Sequence, residues 1–156
     1  MHGNLPEIDR LQLTFLALIV AQAAHSLEEH RGRLYDVFPP ARFVSGAITS
    51  DRERGFLALN GLILAFGLWC WCWPVRRRWP SAIALAWGWA VVEALNGIGH
   101  SAWSLMRGSY TPGVATAPAL FVLALALASQ LLTATRTGAV TPREGSEGES
   151  QSHNGK

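Results

Sequence analysis

Four long apolar stretches dominate this sequence and restrict the folds open to it. They cover residues 11–29, 55–73, 81–106 and 113–133, and each approaches or exceeds the roughly 20 helical residues that cross a bilayer. A backbone inside hydrocarbon must satisfy its own hydrogen bonds, which segments of this kind do as helices. The sequence therefore predicts an all-α fold, an integral membrane four-helix bundle built from residues 1–136 in a multi-pass cell-membrane protein. Residues 137–156, rich in Gly, Ser, Glu and Thr, are predicted to form a disordered tail.

Charge argues against one class of partner and indicates an orientation. A formal net charge of +2 is too small to suggest nucleic-acid binding. Lys and Arg number seven on one side of the predicted topology and six on the other, and three of the seven form the run Arg76-Arg77-Arg78 in a very short loop. Because short basic loops stay in the cytoplasm, both termini are predicted to be cytoplasmic.

The long loop between the first two spans carries signs of local order. Ser50 and Glu53 form a capping-box pattern, which predicts a cap at Ser50 and a start of the second helix just before Gly55. Phe38-Pro39-Pro40 and Phe43 indicate a segment lying on the membrane interface. Its ordinary interpretation is a surface connector, and a lid over a substrate site is the alternative.

Two polar stripes fall in parallel spans at a similar depth. His25, Glu28 and Glu29 share one face of the first helix at offsets of three and four. Glu93, Asn96 and His100 line one stripe of the third span. Both stripes occupy the later half of helices that run in the same direction, and Asn60 and Thr116 of the antiparallel spans reach the same depth. Hence we expect one polar, ionisable cluster in the bundle core, with His25 and His100 facing each other.

Glu93 is an ionisable residue whose position in the sequence does not suit a solvent-exposed surface. It lies about halfway along an apolar span, where a charged side chain costs at least about 2.5–3.5 kcal/mol. Such a group must pair, become protonated or bind a cation. The plainer alternatives are a Glu93 held only by hydrogen bonds and a Glu28-Glu29 pair that simply marks the exit of the first helix into water.

The run His25-Ser26-Leu27-Glu28-Glu29 resembles the defining motif of the HXXEE family of bacterial membrane proteins. The segment from Glu93 to His100, Glu-Ala-Leu-Asn-Gly-Ile-Gly-His, is similar to a second polar signature of that family. The resemblance covers residues 10–132. It implies a membrane bundle with a shared polar site and specifies no reaction.

The residue types permit metal chemistry. Imidazole and carboxylate groups are ligands for a divalent metal, Zn, Fe or Mn, and bundle cores build such sites from facing helices. The predicted ligands are drawn from His25, Glu28, Glu29, Glu93 and His100. Asn96, Asn60 and Thr116 are predicted to surround them or to contact substrate.

Three functions follow from this site. In the first, the protein is a metal-dependent membrane enzyme, hydrolytic or oxidative, acting on a membrane lipid or another apolar small molecule, with Glu28, Glu29 or Glu93 as the catalytic acid or base. In the second, a buried Glu donates a proton without a metal, as in membrane isomerases and terpene cyclases. In the third, the cluster relays protons or ions in a small transporter, which would need to form a homo-oligomer.

The topology is testable by cysteine accessibility. In a chain with Cys70 and Cys72 replaced by Ser, Pro40→Cys and Arg77→Cys should react with a membrane-impermeant thiol reagent from opposite sides, because one helix separates them. Labelling of both positions from the same side of intact vesicles would contradict the four-span topology.

Overall fold

A computed structural model describes residues 5–136 and shows only helices as regular structure in that range. Four are long, and two short ones lie in the connection after the first. The helices are α1 (Leu5–Arg31), α2 (Leu34–Val37), α3 (Pro39–Ile48), α4 (Arg52–Cys70), α5 (Ala82–Arg107) and α6 (Ala117–Arg136), and α4 continues into a π-helical segment (Trp71–Val75). The predicted all-α fold is confirmed.

Each of the four long helices contains a segment long and apolar enough to cross a membrane. These segments are Arg10–Arg31, Arg52–Val75, Ala82–Arg107 and Ala117–Arg136. This agrees with the predicted location in a membrane. The predicted tail, residues 137–156, lies outside the described residues.

The apolar half of the core lies away from the connection between α1 and α4. α1 packs between α4 and α6, and α5 packs on α6. Phe15 and Leu18 of α1 are fully buried there, and the ring of Trp89 from α5 meets Phe15 edge-on, with 6.1 Å between ring centroids. α6 contributes four buried side chains to this layer, Leu120, Ala124, Leu127 and Leu131.

The buried stripe of α1 changes character along the helix. After Phe15, Leu18 and Ile19 it continues with four buried polar residues at the same offsets of three and four, Gln22, His25, Ser26 and Glu29. One continuous helical face therefore forms an apolar core at one end of the bundle and a polar core at the end that carries the long connection.

Small residues allow the close approach of α5 and α6. A Cβ atom added at Gly97 would lie 2.8 Å from the carbonyl oxygen of Ala117 and 2.9 Å from Cβ of Phe121. Such small-residue contacts are the usual means by which membrane helices bring their backbones together. Gly97 lies between Glu93 and His100, so this contact also fixes the depth of the α5 polar stripe against α6.

Two helix starts differ from the sequence-based expectation. The predicted cap at Ser50 is wrong by one residue: α4 begins at Arg52, and the side chain of Asp51 accepts a hydrogen bond from the Arg54 amide at 3.2 Å. α6 begins at Ala117, so residues 113–116, expected inside the span, form a turn before it. The apolar character of that turn reflects burial against the bundle.

The long connection is helical and partly apolar on its outer face. α2 packs on the bundle through the buried Leu34 and Tyr35, whereas Phe43 of α3 is 78% exposed. Backbone contact anchors α3 to α4, because a Cβ added at Gly55 would overlap the carbonyl group of Ser45. An exposed aromatic ring on a helix at this level agrees with a segment lying on the membrane interface.

The close approach at Gly97 should be sensitive to one methyl group. We expect Gly97→Ala to lower the stability of the detergent-solubilised protein by about 1–3 kcal/mol, because the added carbon would push α5 away from α6. Gly99→Ala is the matched control, since a Cβ at Gly99 meets nothing within 4 Å. Thermal unfolding should separate the two variants, and equal melting temperatures would contradict the packing.

Candidate functional site

Two imidazoles meet one carboxylate in the polar half of the bundle. Glu29 Oε1 lies 3.3 Å from His25 Nε2 and 3.0 Å from His100 Nε2. The two rings are nearly perpendicular, with 4.7 Å between centroids. His25 is 0% exposed, Glu29 7% and His100 8%, so water has little access. One ligand atom from each of the three residues lies within 4.8 Å of the others, and we call this group the His–Glu–His cluster.

The elements that position the cluster follow from helical spacing. His25 and Glu29 are four residues apart on the buried stripe of α1. His100 lies on the buried stripe of α5 with Glu93 and Gly97. His100 is seven residues before the end of α5 at Arg107, which places it about 10 Å inside the helix end at 1.5 Å per residue.

The second nitrogen of His100 is fixed by a backbone group. His100 Nδ1 lies 2.8 Å from the carbonyl oxygen of Pro112. A carbonyl oxygen only accepts, so Nδ1 carries the hydrogen. In the neutral ring, Nε2 then presents a lone pair to Glu29.

The second nitrogen of His25 is fixed by a side-chain relay. His25 Nδ1 lies 2.7 Å from Thr116 Oγ1, and the same hydroxyl lies 2.6 Å from Glu28 Oε2. Because the carboxylate can only accept, the single hydrogen of Thr116 goes to Glu28, and Thr116 Oγ1 accepts from His25 Nδ1. The neutral His25 ring therefore also presents a bare Nε2 to Glu29.

Three acceptors thus converge with no hydrogen assigned among them. His25 Nε2 has no hydrogen-bond partner within residues 5–136, although it is buried and only 3.3 Å from Glu29 Oε1. Facing lone pairs repel, and burial strengthens that repulsion. The arrangement therefore needs a proton or a cation at its centre.

Glu28 occupies a different position from its neighbour. Its two carboxylate oxygens accept from five donors, the Tyr110 hydroxyl at 2.7 Å, the amides of Gly113, Ala115 and Thr116 at 3.2, 3.0 and 2.9 Å, and the Thr116 hydroxyl at 2.6 Å. Glu28 was predicted to be a metal ligand or catalytic residue. The structure places its carboxylate against the turn that precedes α6, where the helix N-terminus also favours a negative charge, and outside the His–Glu–His cluster. The hydrogen bond to this carboxylate, together with burial, raises the pKa of Tyr110.

Glu93 and the predicted amides form a separate chain of polar groups. Glu93 is 1% exposed, and the Asn96 amide nitrogen lies 3.5 Å from both Glu93 Oε2 and Gln22 Oε1. Gln22 donates to the Ser26 hydroxyl at 3.2 Å, and Ser26 donates to Asn60 Oδ1 at 2.7 Å. Glu93 is two helical turns from His100 and outside the His–Glu–His cluster. Asn60 reaches α1 through Ser26 and contacts none of the three cluster residues by a hydrogen bond.

Sequence reasoning missed Gln22, Ser26 and the turn before α6. Gln22 and Ser26 could have been predicted to lie in the core, because they share the stripe of α1 that contains His25 and Glu29. The role of Pro112 could not have been predicted from its side chain, since its contact is made by the backbone carbonyl. Gly113 has φ +95°, and a Cβ there would lie 2.5 Å from His100 Nδ1 and 2.8 Å from His25 Cε1. The turn thus packs directly on both imidazoles.

These features define a class, a helical membrane protein with a buried cluster of two histidines and one glutamate next to a polar chain at mid-bundle. The chain belongs to the family described as "Protein of unknown function with HXXEE motif", whose model matches residues 16–128. The predicted resemblance is confirmed. The match includes all three named positions of the motif, His25, Glu28 and Glu29, and also Glu93 and His100. No curated protein and no solved structure matches the chain.

The contact of Gly113 with both rings generates a prediction. Gly113→Ala should destabilise the protein more than Gly108→Ala. Both substitutions place Ala at positive φ, at a cost of about 1–2 kcal/mol, but only the first pushes on His25 and His100. At Gly108, with φ +60°, a Cβ would meet nothing within 4 Å. Thermal unfolding in detergent provides the measurement, and equal losses would show that the turn does not support the imidazoles.

Proposed function

We propose that this protein is a metal-dependent membrane enzyme acting on a lipid-like or other apolar small molecule, with His25, Glu29 and His100 as the metal ligands. The observation that carries the proposal is the position of the two Nε2 atoms, 3.3 and 3.0 Å from the same oxygen of Glu29. Each ring donates its Nδ1 hydrogen elsewhere, and both bare nitrogens face the same carboxylate oxygen.

The two separations from Glu29 Oε1 suit ligands that share one ion, and all three candidate ligand atoms lie within 4.8 Å of one another. Ligand lengths of about 2.0–2.2 Å at angles between 90° and 110° place neighbouring donor atoms roughly 2.8–3.6 Å apart. The observed distances from Glu29 Oε1 to the two imidazole nitrogens are 3.3 and 3.0 Å. A divalent cation at this point would replace the repulsion between three acceptors with attraction.

The surroundings resemble the supporting shell of known metal centres. Metal-binding histidines commonly donate their other N–H to a carbonyl or carboxylate, which fixes the ring and increases its basicity. Here Pro112 does this for His100, and Thr116 with Glu28 does it for His25. This is the role we assign to the first glutamate of the motif.

Three protein ligands favour catalysis over a structural role. Two histidines and one carboxylate are the set used in catalytic zinc sites and in non-haem iron oxygenases, where positions remain open for water, oxygen or substrate. A metal bound here would supply Lewis-acid activation or redox chemistry, which leaves hydrolysis and oxidation both compatible with the ligands. Glu93, outside the ligand group, is available to accept or donate a proton.

The depth of the site indicates an apolar substrate. His100 lies about 10 Å inside the end of α5, so a reacting group must enter the level of the hydrocarbon. With both termini in the cytoplasm, as the short Arg76-Arg77-Arg78 loop favours, the site belongs to the outer half of the membrane.

A second candidate function uses Glu93 without a metal. Its hydrogen bonding within the described residues is limited to one amide at 3.5 Å, although the side chain is 1% exposed. A weakly bonded, buried carboxyl group is a plausible proton donor for a membrane isomerase or cyclase. The metal content of the protein separates this candidate from the first.

Metal content is the direct test. Protein purified in uncharged detergent, without a chelator, should contain about one Zn, Fe or Mn per chain by elemental analysis. Glu29→Gln and His100→Ala should lose it, because each removes one of three ligands. Glu93→Gln is the matched control, an equally buried glutamate outside the ligand group, and should keep the metal.

Activity is followed by comparing lipid extracts. Cells that express the wild type should show a change in at least one lipid-like compound that is absent with Glu29→Gln. A metal-free wild type, or metal retained by Glu29→Gln and His100→Ala, would reject the metalloenzyme. If the wild type is metal-free and the lipid change disappears only with Glu93→Gln, the second candidate is supported instead.

A further inference from the structure

A pocket of about 290 Å³ lies beside the turn that holds the imidazoles. It opens where α5 ends and the connection after α1 begins, which is the interface level of the membrane. Its lining includes Val37, Trp103, Arg107, Tyr110, Thr111 and Pro112. Small-molecule sites begin at about 300 Å³, so the volume suits a headgroup and not a whole lipid.

The lining of the pocket combines apolar side chains with one cation. Val37, Trp103 and Pro112 provide the apolar surface. The guanidinium of Arg107 lies 5.7 Å from the centroid of the Trp103 ring. Among residues 10–136, whose side chains the structure describes, Arg107 forms no ion pair with an Asp or Glu, so its charge is available to an anion. An anionic group attached to a hydrocarbon chain matches both surfaces.

A buried hydroxyl in the lining also lacks a partner. Thr111 is 2% exposed, and its Oγ1 has no hydrogen-bond partner within the described part of the chain. A buried hydroxyl left in this way is costly, and native structures usually satisfy it. An oxygen-rich headgroup in the pocket would provide the missing acceptor.

The pocket shares its wall with the His–Glu–His cluster. Pro112 lines the pocket, and its carbonyl oxygen accepts from His100 Nδ1. Tyr110 lines it and donates to Glu28, and the Trp103 ring lies 6.4 Å from the His100 ring. A molecule held here is therefore next to the groups that orient both imidazoles.

We infer that this pocket binds the anionic headgroup, a phosphate or carboxylate, of an amphipathic molecule. Resting on the proposed function, this molecule is the substrate of the enzyme. Arg107 provides the charge, Thr111 a hydrogen bond, and Trp103 with Val37 the surface for the first part of the chain. The site residues named from the sequence did not include any of these four.

Binding of hexyl phosphate tests the headgroup assignment. It is a soluble amphiphile with one anionic group, and inorganic phosphate and hexanol represent its two halves. Hexyl phosphate should raise the melting temperature of the wild type in uncharged detergent and saturate, while either half alone should have a much smaller effect. Equal binding of inorganic phosphate would overturn the amphiphile in favour of a free anion, and equal binding of hexanol would overturn the anionic headgroup.

Substitutions locate the binding. Arg107→Gln should weaken hexyl phosphate binding about ten-fold or more, because it removes a charge-assisted hydrogen bond, and Thr111→Val should weaken it by a smaller factor. Arg42→Gln is the matched control, an exposed arginine on α3 at the same side of the bundle, and should bind as the wild type does. Equal losses in Arg107→Gln and Arg42→Gln, or none in Arg107→Gln, would overturn the assignment.

Two variants keep this inference separate from the proposed metal site. Arg107→Gln should retain the wild-type metal content, and Glu29→Gln should retain hexyl phosphate binding. Headgroup binding by a metal-free wild type would leave the pocket assigned and reject the metalloenzyme. A metal-loaded wild type that does not bind hexyl phosphate would support the metal site and reject the headgroup pocket.

Discussion

The Glu28 carboxylate accepts five hydrogen bonds from the segment that leads into α6. The geometry of the His–Glu–His cluster depends on these hydrogen bonds. The carboxylate holds the turn, and the turn places Thr116 beside His25 and the Pro112 carbonyl beside His100. With their Nδ1 atoms bonded in this way, the two rings direct their Nε2 atoms towards Glu29. The anchor thus positions the two acceptors that fix the Nδ1 atoms of both imidazoles. The geometry of the cluster is thus supported by a residue that lies outside it.

This arrangement explains why the motif contains two adjacent glutamates. Neighbouring residues on an α-helix point about 100° apart, and here Glu28 and Glu29 reach different partners. Glu29 points to the bundle interior and meets the imidazoles, while Glu28 points along the α1–α6 boundary and meets backbone amides. The two carboxylates have the same chemistry and different surroundings, one against the two imidazoles and one against the turn before α6.

The sequence carried the architecture and the identity of most polar residues in the core. Four apolar spans predict a bundle, and parallel directions of α1 and α5 predict a similar depth for His25 and His100. The sequence did not indicate which of Glu28 and Glu29 meets the imidazoles, because offsets of three and four from His25 fit one helix face equally well. The rotation of α1 against α6 decides it, and that rotation depends on packing far along the chain. The contacts of the Pro112 carbonyl and of the turn at Gly113 could not be predicted either, since they depend on backbone geometry and not on side-chain type.

The hydrogen bond between His25 and Thr116 joins positions that are 91 residues apart. During synthesis α1 enters the membrane long before the turn and α6 have been made. Until they dock, both histidines lack the acceptors that fix their rings, and Glu28 lacks its donors. The centre is therefore completed last, by the final helix, and a chain truncated before α6 would carry the motif without a formed site.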